Sequence, residues 1–170
     1  DHPIDLPNTL AFFASITGSI LLWLLYFSRA ESGGSRFIRR HSNPSLVAAN
    51  SYTYLHVVLV AGIVVIAVAD ELVLAHPIDA PRQLTLALVY GAPALYLIGN
   101  LVFKKSIGAP WLKSHLAGVG ILVIFGAVVL LSGLQLPALV HSWIANVVLI
   151  AVVIGEEIDL RRERRRLRSL

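Results

Sequence analysis

The 170-residue chain has no cysteine and no methionine. Without thiols there is no disulfide, no thiolate metal site and no cysteine nucleophile, and cysteine usage says nothing about redox compartment. Position 1 is Asp, which reads as a processed or partial chain. Charge is scarce as well: 14% of residues are Asp, Glu, Lys or Arg, against about a quarter in soluble domains. Zinc-ligand spacings, a nucleophile elbow, a phosphate loop and triad patterns are all missing. Gly118-Val119-Gly120 lies inside an apolar run, not after a strand, so it is no dinucleotide fingerprint. These absences argue against an enzyme.

What fills the chain is apolar. Hydrophobic residues make up 56% and the mean hydropathy is +0.76, more than the core of a soluble domain this size would hide. A bilayer-spanning helix needs about 20 apolar residues, and five runs reach that length: Thr9 to Phe27, Tyr52 to Leu74, Leu84 to Phe103, His115 to Leu134 and Pro137 to Ile158. The first is too long for a signal-peptide core and is preceded by Asp1 and Asp5 instead of a basic segment. The expected fold is all-α: one transmembrane domain over residues 1–170, a bundle of five spans with a basic tail from residue 159.

Thirteen of the fourteen Lys and Arg residues fall on one side of such a bundle, and only Arg82 falls on the other. Arg29, Arg36, Arg39 and Arg40 follow span 1, and Lys104, Lys105 and Lys113 follow span 3. Arg161, Arg162, Arg164, Arg165, Arg166 and Arg168 follow span 5. Basic loops stay in the cytosol, which predicts an outer N-terminus and an inner C-terminus. Trp23, Tyr26, Phe27, Tyr52, Tyr54 and Trp111 suit the inner interface, and Phe12, Phe13 and Trp143 the outer one. The terminal arginines should contact anionic lipid; nucleic acid is not an expected partner. The longest loop, Ser28 to Ser51, has room for a short interfacial helix around Phe37 to Arg40.

Small residues recur every fourth position at Ala11, Ser15 and Ser19, at Ala87 and Gly91, and at Ala138 and Ser142. Such stripes allow close helix packing in lipid, although an Ala- and Gly-rich chain produces some by chance. Pro93, in the middle of span 3, removes one helix hydrogen bond, so a kink with a free carbonyl is expected. Broken helices of this kind sometimes line ion sites and more often are only structural.

Ionisable groups inside spans are costly and usually face protein or water. They form two layers here. Toward the outer ends lie Asp70, Glu71 and His141, with His76 at the rim. Toward the inner ends lie His56, Tyr96, Asn100 and His115, while Asn146 falls between the layers. On span 2 the helical angle groups Tyr52, His56, Ile63, Ala67 and Asp70 on a stripe expected to face the bundle. His56 and Asp70 on it are about 21 Å apart at the helical rise, too far for direct contact. The set reads either as a protonatable path or cation site, or as interhelical hydrogen bonding with carboxylates reaching the headgroups. Histidines at like depth, His56 with His115 or His76 with His141, also match what a bis-histidine haem would require. Glu156, Glu157 and Asp159, ahead of the terminal arginines, read as a solvated end of span 5 with pairs four residues apart.

The order Tyr52-Thr-Tyr54-Leu-His56, Val60-Ala-Gly62-Ile-Val and Glu71-Leu-Val-Leu-Ala-His76-Pro77 resembles the bacterial low-temperature-requirement A family of multi-pass membrane proteins. Leu22-Trp23-Leu-Leu-Tyr26-Phe27 before it, and Ala94-Leu-Tyr96-Leu-Ile-Gly99 with Phe103-Lys104-Lys105 after it, are similar to the same family in the same order. The resemblance covers residues 10 to 135 or so and corresponds to the C-terminal half of longer members. It implies an all-helical inner-membrane protein linked by name to growth in the cold, and names no substrate. Asn100 stands where the family pattern suggests histidine, which weakens a relay role at that position. Two functions remain open: a transporter-like or ion-handling protein built on Glu71, Asp70, His56, Tyr96 and Asn100, alone or as a homo-oligomer, or a non-catalytic accessory subunit of a larger membrane complex with other membrane subunits as partners. A haem carrier or membrane enzyme is a third reading.

Overall fold

A run of twenty apolar residues away from water can satisfy its backbone only by closing hydrogen bonds within itself, and the helix is the open-chain solution. The computed structural model describes residues 5–30, 55–106 and 112–168, and in them five such helices form. They are α1 (Leu6–Ala30), α2 (Leu55–Ala75), α3 (Gln83–Ser106), α4 (Lys113–Ser132) and α5 (Ala138–Arg168). All five are long and apolar enough to cross a membrane. The helices overrun the expected spans, most of all α5, which stays helical ten residues past Ile158. Charge four residues apart supports that extension: Arg161 Nε donates to Glu157 Oε1 at 2.8 Å. The segment around Phe37 to Arg40, with Tyr52, Tyr54 and Trp111, lies outside the described residues.

Helix α3 is the axis of the bundle, since it packs against all four others and 67% of its span is buried, against 22% for α2 and 28% for α4. α2 lies on α3, α1 lies on α5, and α4 fits between α3 and α5. The outward faces are aliphatic, with Val64 on α2 and Ile124 and Leu131 on α4 among the exposed residues, as lipid contact requires.

The packing faces differ in register from the expectation. On α2 the inward residues are Leu59, Gly62, Ala69 and Val73, while Ile63, Ala67 and His56 are exposed. The stripe named from the sequence is therefore rotated off the true face, and Asp70 sits on its half-buried flank. On α1, Ala11, Ala14 and Gly18 are buried and Ser19 is exposed; on α3, Ala87 and Gly91 are exposed. Ala138 and Ser142 on α5 are buried as expected. Close approach is made instead at glycines. A Cβ on Gly62 would lie 3.3 Å from the Tyr96 backbone, so α2 rests almost directly on the α3 main chain.

The turns are built to end helices in apolar surroundings. Gly133 closes α4 in the left-handed conformation, φ 65°, which L side chains rarely adopt. At the start of α5 the first amides lack intrahelical partners. Two find them in the α2–α3 turn: Ala138 N donates to Asp79 O at 3.0 Å and Leu139 N to Pro77 O at 2.9 Å. The two connections at this end of the bundle are thus fastened to each other.

Candidate polar sites inside the bundle

Helical spacing places Tyr96, Asn100 and Lys104, each four residues apart, on one face of α3. All three are buried, Lys104 completely. A lysine in the membrane interior needs a counter-charge, and α5 supplies it: Lys104 Nζ lies 2.7 Å and 2.8 Å from the two carboxylate oxygens of Glu156, and donates to Ser28 Oγ at 2.9 Å. Glu156 is as enclosed as its partner. The assignment of Lys104 to a loop and of Glu156 to a solvated helix end is therefore corrected. α3 runs on past Phe103, and Glu156 points inward one residue before Glu157 points out.

From α4, His115 completes the cluster. Its Nε2 is 3.0 Å from Asn100 Oδ1 and 3.9 Å from Glu156 Oε2, and its Nδ1 is 3.5 Å from Ser114 Oγ. Asn100 Nδ2 donates to Leu25 O at 3.4 Å, which turns the Asn100 oxygen toward the imidazole and fixes Nε2–H as the donor in the neutral ring. Tyr96 has Asn100 as a side-chain hydrogen-bonding neighbour and donates to Leu22 O at 2.8 Å. Four helices meet at this cluster: α1, α3, α4 and α5. A groove of about 280 Å³ between α1 and α5, lined by Trp23, Phe27, Ser28 and both Glu156 and Glu157, leads to the cluster.

The second polar region lies toward the Pro77 end. Tyr90 OH and His141 Nδ1 are 2.8 Å apart, and His141 is fully buried. Its Nε2 is buried with no hydrogen-bond partner among the described residues. One helix turn on, Asn146 Nδ2 donates to Ala14 O at 2.8 Å. Beside it a cavity of about 30 Å³ is lined by Asp70, Val89, Pro93, Ser142, Asn146 and Gly18, with apolar neighbours.

The expected site residues separate accordingly. Asn100 and Tyr96 join the Lys104 cluster, His141 and Asp70 lie in the other region, and Glu71 and His56 are exposed on the outside of α2. His56 packs its ring edge-on against Tyr26, centroids 5.8 Å apart. Each histidine of the haem pairings has a neighbouring side chain of its own, Tyr26 for His56 and Tyr90 for His141. His115 has a polar neighbour at each ring nitrogen in a closed cluster, and His76, largely exposed, lies 3.5 Å from Asp79. Among the described residues no three His, Cys, Asp or Glu gather in a metal-binding group. Arg161, Arg162 and Arg165 are exposed; the side chains of Arg164, Arg166 and Arg168 lie outside the described residues.

Comparison with known proteins matches residues 1–154 to the model of the bacterial low temperature requirement A protein family, LtrA. The chain belongs to the LtrA family. An uncharacterized protein of Rhizobium meliloti (strain 1021) is 28% identical over 160 residues, a stretch that covers 94% of this chain and 37% of that protein. The chain thus spans just over a third of the length of that curated relative. No solved structure matches it. Within this LtrA membrane protein, sequence reasoning missed Lys104, Glu156 and Ser28. The signal was present in the four-residue spacing Tyr96, Asn100, Lys104, but two adjacent lysines at a span end read more readily as loop. The histidine sought at position 100 comes instead from α4, where His115 is bonded to Asn100.

Proposed function

We propose that this LtrA protein handles protons in the bacterial cytoplasmic membrane, in a transporter-like role with no covalent catalysis, and that its working group is the Lys104–Glu156–His115–Asn100 cluster. The observation that carries the reading is the full burial of two opposite charges with a histidine between three helices. Such groups are rare and usually functional inside membranes. The geometry suits proton exchange at His115. In the neutral ring Nε2–H donates to Asn100 Oδ1 while Nδ1 accepts from the Ser114 hydroxyl. In the charged ring Nδ1–H donates to Ser114 Oγ instead, so no hydrogen bond is lost on protonation. The Glu156 carboxylate lies 3.9 Å from Nε2, with the Lys104 ammonium on its other side. Protons would reach the cluster along the groove between α1 and α5. The basic end of the bundle, with Arg161, Arg162 and Arg165 exposed against anionic lipid, is the cytosolic one. Lys104 no longer counts toward that assignment, but Lys105 and Lys113 are exposed and still do.

Flux across reconstituted vesicles with a pH dye inside tests the reading. Wild-type protein should dissipate an imposed pH gradient faster than protein-free vesicles, and His115→Gln, which keeps a hydrogen bond to Asn100 but carries no exchangeable charge, should return the rate to the protein-free level. Because the chain has no cysteine, Gln135→Cys and Arg165→Cys report the vesicle orientation with an impermeant thiol reagent. A His115→Gln protein as fast as wild type would sink the proposal. A second reading, an accessory subunit of a larger membrane assembly, is supported by the aliphatic faces of α2 and α4. Stoichiometric co-purification with other membrane chains from the native membrane would favour it.

A further inference from the structure

The cavity toward the Pro77 end holds an unbalanced charge and a set of oxygen atoms. Among the described residues lining it, Asp70 is the only charged one, and none is Lys, Arg or His. In a low-dielectric site a carboxylate must be neutralised by a proton or by a cation. Three oxygens from other helices surround the same space. Ser142 contributes a hydroxyl from α5. Asn146 contributes its Oδ1, because its Nδ2 is spent on Ala14 O and a Cβ on Gly18, itself a lining residue, would lie 3.1 Å from that oxygen. Val89 contributes a main-chain carbonyl, since the residue four positions on is Pro93, which has no N–H to donate. Val89 and Pro93 on α3 and the carboxylate on α2 therefore border one cavity. At about 30 Å³ it has room for one water-sized body.

Oxygen-only donors, one formal negative charge and a volume this small fit a single hard monovalent cation. We propose that Asp70, Ser142, Asn146 and the Val89 carbonyl form a binding site for one sodium ion, held between α2, α3 and α5. The site is separate from the His115 cluster and stands without it. Asn146 and Glu156 are ten residues, about 15 Å, apart along α5.

The test uses the purified chain in detergent, with sodium chloride replacing choline chloride at constant ionic strength and thermal unfolding as the readout. Sodium should raise the melting temperature saturably, by about 5 °C at high occupancy. Asp70→Asn should abolish the response. Gly18→Ala keeps every ligand and places a methyl group against Asn146 Oδ1, so it should shift the response to higher sodium concentration and remains informative if Asp70→Asn misfolds. Retention of radioactive sodium by the wild-type protein gives a second readout. No difference between sodium and choline, or an Asp70→Asn response equal to wild type, would overturn the site. Neither result bears on proton flux through His115, so the two proposals fail separately.

Discussion

Replacing Lys104 with methionine is expected to lower the stability of the protein in detergent by about 3–5 kcal/mol. Methionine fills most of the space left by the lysine stem, so little of this loss is packing. It comes from Glu156, which is left fully buried without the ammonium 2.7 Å away, and from Ser28 Oγ, which loses its donor. His115 at 3.9 Å can relieve part of the loss by taking up a proton. The double variant Lys104→Met with Glu156→Leu should recover most of the stability, since a buried ion pair replaced as a whole by apolar groups is often near neutral. Reversible unfolding of the single and double variants measures both steps. A double variant no better than the single one would mean that the pair contributes through packing and not through charge.

The second large effect is steric. Gly118 lies one helix turn from His115 on α4, and a Cβ there would sit 2.4 Å from Val152 Cγ2 and 3.1 Å from Leu97 Cδ1. Valine is stiff at χ1 and cannot simply swing aside, so Gly118→Leu has to push α4 off α5. Overpacking of this kind costs about 1–3 kcal/mol. It should also draw His115 away from Asn100 and Glu156, abolishing proton flux together with the loss of stability. Gly120→Leu is the control, because nothing lies within 4 Å of its Cβ position. Its stability and flux should match wild type. Equal losses at both positions would contradict the close packing of α4 on α3 and α5.

Why the spans were legible and the site only partly so follows from the solvent. Length and hydropathy mark helices wherever the chain must satisfy its backbone without water, and all five were recognisable from that alone. Which face turns inward is a different matter. Lipid is as apolar as a protein core, so α2 and α4 carry little contrast between their sides, and the stripe expected on α2 was accordingly rotated off its true face. Adjacent acidic pairs show the consequence. Asp70 borders the cavity while Glu71 is exposed, and Glu156 is buried while Glu157 reaches Arg161. A 100° step around a helix separates each pair, and residue type cannot reveal which member faces in. Partners distant in sequence, such as Lys104 and Glu156, emerge only when α3 and α5 are packed together. Asn100, His115 and His141 were recognisable because a buried polar side chain in a span demands a partner, although Tyr90, the partner of His141, was not.

Infrared difference spectroscopy of the reconstituted protein, taken across a pH titration with the histidine rings isotopically labelled, tests the central claim most directly. If the cluster exchanges protons, a ring signal that disappears in His115→Gln will change reversibly with pH, and a carboxylate band that disappears in Glu156→Gln will shift in step with it, because the two groups face each other. A His115 ring held in one protonation state throughout the pH range in which the vesicles conduct protons would contradict the account.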